Sequence, residues 1–87
     1  MSRWVIIGGA GLTGMNLANK LIKQLNINPS NIILADLEQR LQNIKLPVKL
    51  SSCDISKNIF PEFKKNDIVI MPAINFIASY NVAKLFD

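Results

Sequence analysis

The sequence predicts an α/β fold, a doubly wound parallel sheet of about four strands in the order 3-2-1-4. Strand-like and helix-like segments alternate along the 87 residues, which is typical of parallel strands joined by helical crossovers. The strand-like segments are almost continuously apolar, as expected for strands covered on both faces. Right-handed crossovers then give the doubly wound layout, and the strand order follows by analogy with that layout.

The first half of the chain contains two predicted strands and the helix between them. Trp4–Ile7 is a short, mostly β-branched run that fits a buried strand and ends at a glycine-rich turn. From Leu12 to about Asn26, apolar residues recur at three- and four-residue spacing, which indicates an amphipathic helix. The turn signal Asn28-Pro29-Ser30 then precedes a second buried strand, Asn31–Ala35.

The second half of the chain is predicted to continue the alternation. Leu37–Ile44 has the spacing of a short helix with one apolar face, and Pro47 blocks its continuation. A third strand is predicted at Val48–Ser52 and a short helical turn around Pro61. A fourth strand is predicted at Asp67–Met71 and a last helix at Asn75–Phe86.

Composition limits the class of protein. Hydrophobic residues make up 49% and charged residues 18% of the chain, which excludes disordered and collagen-like proteins. The length predicts a single domain over residues 1–87, and so short and apolar a chain predicts a fragment, a truncated form or an oligomer. One cysteine excludes an intrachain disulfide, and the lack of histidine removes histidine metal ligands and general bases.

The basic residues are scattered. The net charge is +4, but the sequence contains no run of five like charges and no aromatic residues interleaved with the basic ones. The sequence therefore favours a small anionic ligand over nucleic acid. No stretch approaches the roughly 18 apolar residues of a membrane span, and no small-residue cleavage site follows the short apolar N-terminus. We therefore expect a cytoplasmic protein with no membrane partner and with Cys53 reduced.

The segment from Gly8 to Gly14 carries the main functional signal. Its four glycines fit Gly-x-Gly-x-x-Gly or Gly-x-x-Gly-x-x-Gly, directly after a predicted strand and at the start of a predicted helix. In that context, Gly8 or Gly9 permits the tight exit, Gly11 admits a pyrophosphate close to the backbone, and Gly14 lets the helix pack on the strand. The helix N-terminus favours an anion. A tight turn without a ligand is the alternative interpretation.

Asp36 completes the pattern at the end of the second strand. It lies 22 residues beyond Gly14, where an acid can accept hydrogen bonds from both ribose hydroxyls of an adenosine. Its charge would repel a 2′-phosphate, which favours NAD over NADP, whereas Arg40, one helical turn later, could offset that preference. The alternative, compatible role for Asp36 is the N-cap of the helix at Leu37.

Two further strand ends are predicted to line the same site. Asp54 could accept from the adenine amino group and Ile55 could pack on the ring, or Asp54 could simply cap the next turn. Ala73 follows the fourth strand and should line the ribose side. The candidate cofactor-binding residues are therefore Gly8, Gly9, Ala10, Gly11, Leu12, Thr13, Gly14, Asp36, Leu37, Asp54, Ile55 and Ala73.

On these residues, the chain resembles the N-terminal part of the NAD(P)-binding Rossmann superfamily. The glycine segment, Asp54-Ile55-Ser56 and Asn66-Asp67-Ile68-Val69-Ile70 are most similar to saccharopine-dehydrogenase-like proteins and to extended or atypical short-chain dehydrogenase/reductases. The resemblance covers residues 3–86 and implies the cofactor half of an NAD(P)-dependent oxidoreductase, with the substrate unspecified. Pyrroline-carboxylate reductase-like proteins and lactate or malate dehydrogenases are competing resemblances.

The resemblance leaves the catalytic part open. Tyr80 and Lys84 have the Tyr-x-x-x-Lys spacing of the short-chain dehydrogenases but follow the fourth strand too early, so we assign no catalytic residue. A full domain of this kind has about six strands. Four strands leave an open apolar edge, which predicts a homo-oligomer or a missing C-terminal domain. A non-catalytic nucleotide-sensing or regulatory module is the alternative function.

Overall fold

The strands of this chain form one mixed sheet. A computed structural model describes residues 2–71 and the backbone of residues 76–79. The strands are β1 (Trp4–Ile7), β2 (Ile32–Asp36), β3 (Lys49–Ser52), β4 (Ile68–Met71) and β5 (Phe76–Ser79), and the α-helices are α1 (Leu12–Lys23) and α2 (Glu38–Leu41). The order across the sheet is β3-β2-β1-β4-β5.

The first four strands confirm the predicted fold class. β1 pairs in parallel with β2 on one side and with β4 on the other, and β2 pairs in parallel with β3. This is the 3-2-1-4 order of an incomplete doubly wound α/β sheet. The strands form because their β-branched side chains alternate between two covered faces, so that all five residues of β2 are buried.

The two faces of the sheet are covered by different connections. Ile6 and Leu34 face α1, where they pack with Ala18 and Leu21 and with the segment that follows α2. Val5, Ile7 and Ile33 face the opposite side, where Phe60 and Phe63 of the β3–β4 connection pack against them, together with Cys53 and Val69. The β1–β2 and β2–β3 connections therefore cover one face of the sheet, and the β3–β4 connection covers the other.

The connection over that second face contains no helical turn around Pro61, so this prediction was wrong. The turn lies earlier, as a 3₁₀ helix at Ile55–Lys57 that ends at Asn58 in the left-handed conformation (φ 57°). Proline has no N–H and disfavours helical backbone in the residue before it, so the segment around Pro61 stays irregular. Phe60 and Phe63 supply the expected apolar cover without a helix.

The predicted last helix was also wrong where the structure describes it. Phe76–Ser79 is a strand that pairs antiparallel with β4, with Met71 opposite Phe76. The unpaired backbone groups along β4 offer hydrogen bonds to an adjacent apolar segment, and antiparallel strands need only a short connection. β5 therefore covers the edge that was expected to stay open, while the rest of the predicted helix, residues 75 and 80–86, lies outside the described residues.

Both α-helices are shorter than the sequence predicts. α2 covers only Glu38–Leu41 of the predicted Leu37–Ile44. α1 ends at Lys23, and Asn26 then adopts the left-handed conformation (φ 53°), while the Ile27 N–H donates to the Leu21 carbonyl at 3.0 Å. Asparagine is a common terminator in this conformation. Within the described residues, no helix is long and apolar enough to cross a bilayer.

The start of β1 is held by an ion pair between Arg3 and a buried carboxylate. Arg3 donates from Nε to Asp67 Oδ1 at 3.0 Å and from Nη2 to Asp67 Oδ2 at 2.6 Å. The Lys64 N–H donates to the same carboxylate at 2.7 Å, and the Asp67 side chain is 1% exposed. The bidentate pair anchors the β3–β4 connection beside the first strand. The hydrogen bonds to Asp67 also raise the pKa of Arg3, so the guanidinium stays charged.

Candidate functional site

The glycine loop leaves β1 at the carboxyl edge of the sheet and is fixed to β2. Gly8 has φ +79°, a left-handed conformation that glycine adopts without strain. Its N–H and that of Gly9 both donate to the Ala35 carbonyl, at 2.7 and 3.2 Å, and the Gly11 N–H donates to the Gly8 carbonyl at 3.3 Å. The sharp exit predicted for this turn is therefore made at Gly8.

Close packing of α1 on the sheet depends on two other glycines. A Cβ on Gly14 would lie 2.6 Å from Gly9 Cα, and a Cβ on Gly9 would lie 2.9 Å from both the Ile6 carbonyl oxygen and Leu34 Cδ2. A side chain at Gly14 would push α1 away from the glycine loop, and one at Gly9 would push the loop away from β1 and β2. The sequence predicted that Gly14 lets the helix pack on the strand; in the structure Gly14 packs against the loop that leaves that strand.

Gly11 occupies the N-cap of α1 and leaves the helix N-terminus open. Its backbone is extended, and no side chain caps the helix. A Cβ there would meet only Arg40 Nη2 at 3.3 Å and the Gly8 carbonyl oxygen at 3.6 Å. The exposed residues Leu12 and Thr13 follow, and their N–H groups have no acceptor among the described residues. Unpaired donors at a helix N-terminus attract anions.

Asp36, the last residue of β2, turns its carboxylate toward the glycine loop. Oδ2 accepts from the Ala10 N–H at 3.0 Å, and Oδ1 accepts from the Leu37 N–H at 2.7 Å. The alternative role of Asp36 as an N-cap was wrong, because α2 begins at Glu38 with Leu37 in the cap position and without a side-chain cap. One carboxylate oxygen bonds to the loop instead, and the other bonds to the Leu37 N–H.

Arg40 brings a positive charge to the same place. Its Nη1 lies 3.6 Å from Asp36 Oδ1, and its side chain is 51% exposed. Since Nη2 is the atom nearest to the open side of Gly11, the guanidinium extends over the loop. The sequence indicated Arg40 as a charge near the acid, but gave no sign that it would reach the glycine loop.

Asp54 and Ile55 lie after β3 at the same end of the sheet. Asp54 Oδ1 accepts from the Ser56 N–H at 3.1 Å and from Ser56 Oγ at 2.5 Å, so it caps the 3₁₀ turn, the alternative that the sequence left open. Ile55 is 41% exposed and available for packing. Ala73, Tyr80 and Lys84 lie outside the described residues.

Cys53, between β3 and Asp54, is buried beneath this edge. Its N–H donates to the Asp36 carbonyl at 2.8 Å. Burial first, and then the negative charges of Asp36 and Asp54, raise the pKa of the thiol above its ordinary value of 9.0. The thiol therefore stays protonated at neutral pH and is unsuited to nucleophilic chemistry.

Together these strand ends lie at one edge of the sheet. The glycine loop follows β1, Asp36 ends β2, and Asp54 follows β3, so all three lie at the carboxyl edge of the parallel strands. In open α/β sheets, ligands bind at this edge, where the strand order reverses. The reversal occurs at β1, whose neighbours are β2 and β4.

Comparisons with protein-family models, with curated proteins and with solved structures gave no match.

Proposed function

We propose that this chain binds an adenine dinucleotide, NAD or NADP, as the cofactor-binding part of an NAD(P)-dependent oxidoreductase. The observation that carries the proposal is the open helix N-terminus at Leu12 and Thr13, behind a glycine loop whose own N–H groups are already paired. A pyrophosphate would accept from these two N–H groups and gain from the helix dipole. Gly11 would let it approach the backbone.

The remaining contacts follow from the geometry of a dinucleotide. The adenosine ribose would lie beside Asp36 and Arg40, and the adenine beside Asp54 and Ile55. The Asp36 charge favours NAD, as the sequence predicts. The guanidinium of Arg40 supports NADP as the alternative, because arginine binds phosphate strongly.

The oxidoreductase part of the proposal rests on the resemblance and on the cofactor class. A bound nicotinamide dinucleotide supplies hydride transfer, while the protein supplies binding and orientation. The proposal assigns no substrate and no catalytic residues. The pyrophosphate site lies entirely within the described residues, so binding experiments can test it directly.

Calorimetric titration with ADP-ribose, NAD and NADP tests the proposal. We expect binding in the micromolar to low-millimolar range, with ADP-ribose binding nearly as well as NAD because its adenosine diphosphate makes the proposed contacts. Gly11→Ala is the informative variant, because its Cβ would meet only the flexible end of Arg40 and the Gly8 carbonyl oxygen. Under the proposal, the same Cβ would keep a pyrophosphate from approaching the N-cap backbone.

The variant should weaken all three ligands about tenfold or more while the far-ultraviolet circular dichroism stays that of the wild type. Adenosine, which lacks phosphate, is the control ligand and should bind equally poorly to both proteins. A folded wild-type protein that binds none of the three nucleotides would contradict the proposal.

A further inference from the structure

The Asp36 carboxylate is buried, and each of its oxygens already accepts a hydrogen bond from this chain. A carboxylate offers about four lone-pair sites. The Ala10 N–H and the Leu37 N–H occupy one site on each oxygen, and the Arg40 guanidinium lies 3.6 Å from Oδ1, beyond hydrogen-bonding distance. The residue is 5% exposed. Two ribose hydroxyls would therefore have to reach the two remaining sites of a carboxylate that is nearly inaccessible to solvent and has the Arg40 guanidinium beside it.

The bond to Ala10 has a distinct place in the glycine loop. The other loop N–H groups, those of Gly8, Gly9 and Gly11, donate to backbone carbonyls, whereas Ala10 donates to a side chain. Ala10 directly precedes Gly11, whose conformation determines where the Leu12 and Thr13 N–H groups point. A charge-assisted bond at this position is stronger than the neutral bonds beside it.

We propose that Asp36 is a positioning residue, which holds the glycine loop in its anion-binding conformation through the Ala10 N–H and is not the principal ligand of the ribose. The part that concerns nucleotides rests on the proposed function. Arg40 offsets the negative charge of Asp36 at 3.6 Å, so that the carboxylate can brace the loop without repelling a pyrophosphate. Under this proposal, the group available to contact the ribose is the Arg40 guanidinium, whose side chain is 51% exposed.

The loop conformation can be tested without any ligand. Asp36→Asn keeps the shape of the side chain but removes its charge. In either orientation of the amide, the Ala10 N–H therefore loses its charge-assisted bond, because it faces either a neutral amide oxygen or the NH₂ group. Glu38→Gln is the matched control, because it removes one charge two residues away at an exposed site. Amide hydrogen exchange is measured on both variants and on the wild type.

We expect the amides of residues 8–11, which are hydrogen-bonded in the loop, to exchange about tenfold faster in Asp36→Asn, with those of Val5 and Ile33 in the strands unchanged. Glu38→Gln should match the wild type throughout. Loop exchange in Asp36→Asn equal to that of the wild type would overturn the inference. So would faster exchange across the whole sheet, since that is the signature of general destabilisation.

Ligand binding separates positioning from direct recognition. ADP and 2′,3′-dideoxy-ADP share the diphosphate, but the second lacks both ribose hydroxyls. Positioning predicts that Asp36→Asn weakens both ligands by the same factor, about tenfold. Weakening of ADP alone would show that Asp36 is a ribose ligand and overturn the inference. If the wild-type protein binds neither, the proposed function fails, and the exchange measurement alone decides the role of Asp36.

Discussion

Replacing Gly14 by alanine should destabilise the fold more than the same change at Gly11. The new Cβ at Gly14 would lie 2.6 Å from Gly9 Cα and 3.0 Å from the Gly9 carbonyl atoms. Carbon atoms in contact are about 3.5–4.0 Å apart, so α1 must shift by roughly 1 Å from Gly9 in the loop. At Gly11 the nearest atom is the flexible end of Arg40 at 3.3 Å, which can move aside.

The magnitude follows from two opposing contributions. Overpacking typically costs about 1–3 kcal/mol, and the upper part of that range applies because the obstructing atoms are backbone. Alanine recovers up to about 1 kcal/mol of helix propensity relative to glycine. The expected net loss for Gly14→Ala is about 2 kcal/mol, which corresponds to a fall in Tm of about 8–16 °C for a domain of this size. Gly11→Ala should lose less than about 1 kcal/mol.

Urea unfolding followed by the fluorescence of Trp4, the only tryptophan, measures both values. The two variants carry the same chemical change three residues apart, so each is the control for the other. Equal stability of the two variants, or a loss below about 0.5 kcal/mol for Gly14→Ala, would refute the packing argument.

Three other predictions concern single side chains. Asp67→Asn should cost about 2–3 kcal/mol in urea unfolding, because Arg3 would lose its buried partner; a loss under about 0.5 kcal/mol would contradict this. Arg40→Gln should lower the affinity for NADP relative to NAD by about tenfold in calorimetry, and an unchanged ratio would exclude Arg40 as a phosphate ligand. The raised pKa of Cys53 means that the folded state disfavours the thiolate. The stability it contributes is therefore present below pH 9 and is lost as pH rises through the folded-state pKa. Unfolding measured from pH 7 to 11 should show this loss in the wild type and not in Cys53→Ala, and parallel curves would contradict it.

The elements that the sequence predicted correctly are those with a strong local signal. β1 and β4 are apolar runs bounded by turn residues, and their burial on both faces follows from the absence of polar side chains. Phe76–Ser79 was missed because four apolar or small residues fit a helix face as well as a strand. The unpaired edge of β4, a long-range feature, decides between them.

The site shows the same division between local and long-range information. The glycine loop and Asp36 could be located from spacing alone, since both are defined by where strands end. The hydrogen bond between Asp36 and Ala10 joins residues that are 26 positions apart, so no local pattern indicates it. Asp54 shows the converse, because its capping of Ser56 is a local interaction that the sequence already offered as an alternative.

Titration of ¹⁵N-labelled protein with ADP-ribose, followed by the amide chemical shifts of each residue, tests the central claim most directly. The account predicts that the largest shifts occur at Gly11, Leu12 and Thr13, with smaller shifts near Asp36 and Ile55. It also predicts that Gly11→Ala needs about tenfold or more ligand to reach the same shifts. Saturable binding that shifts other surfaces and leaves Leu12 and Thr13 unchanged would contradict the account, as would the absence of any shift at millimolar ligand.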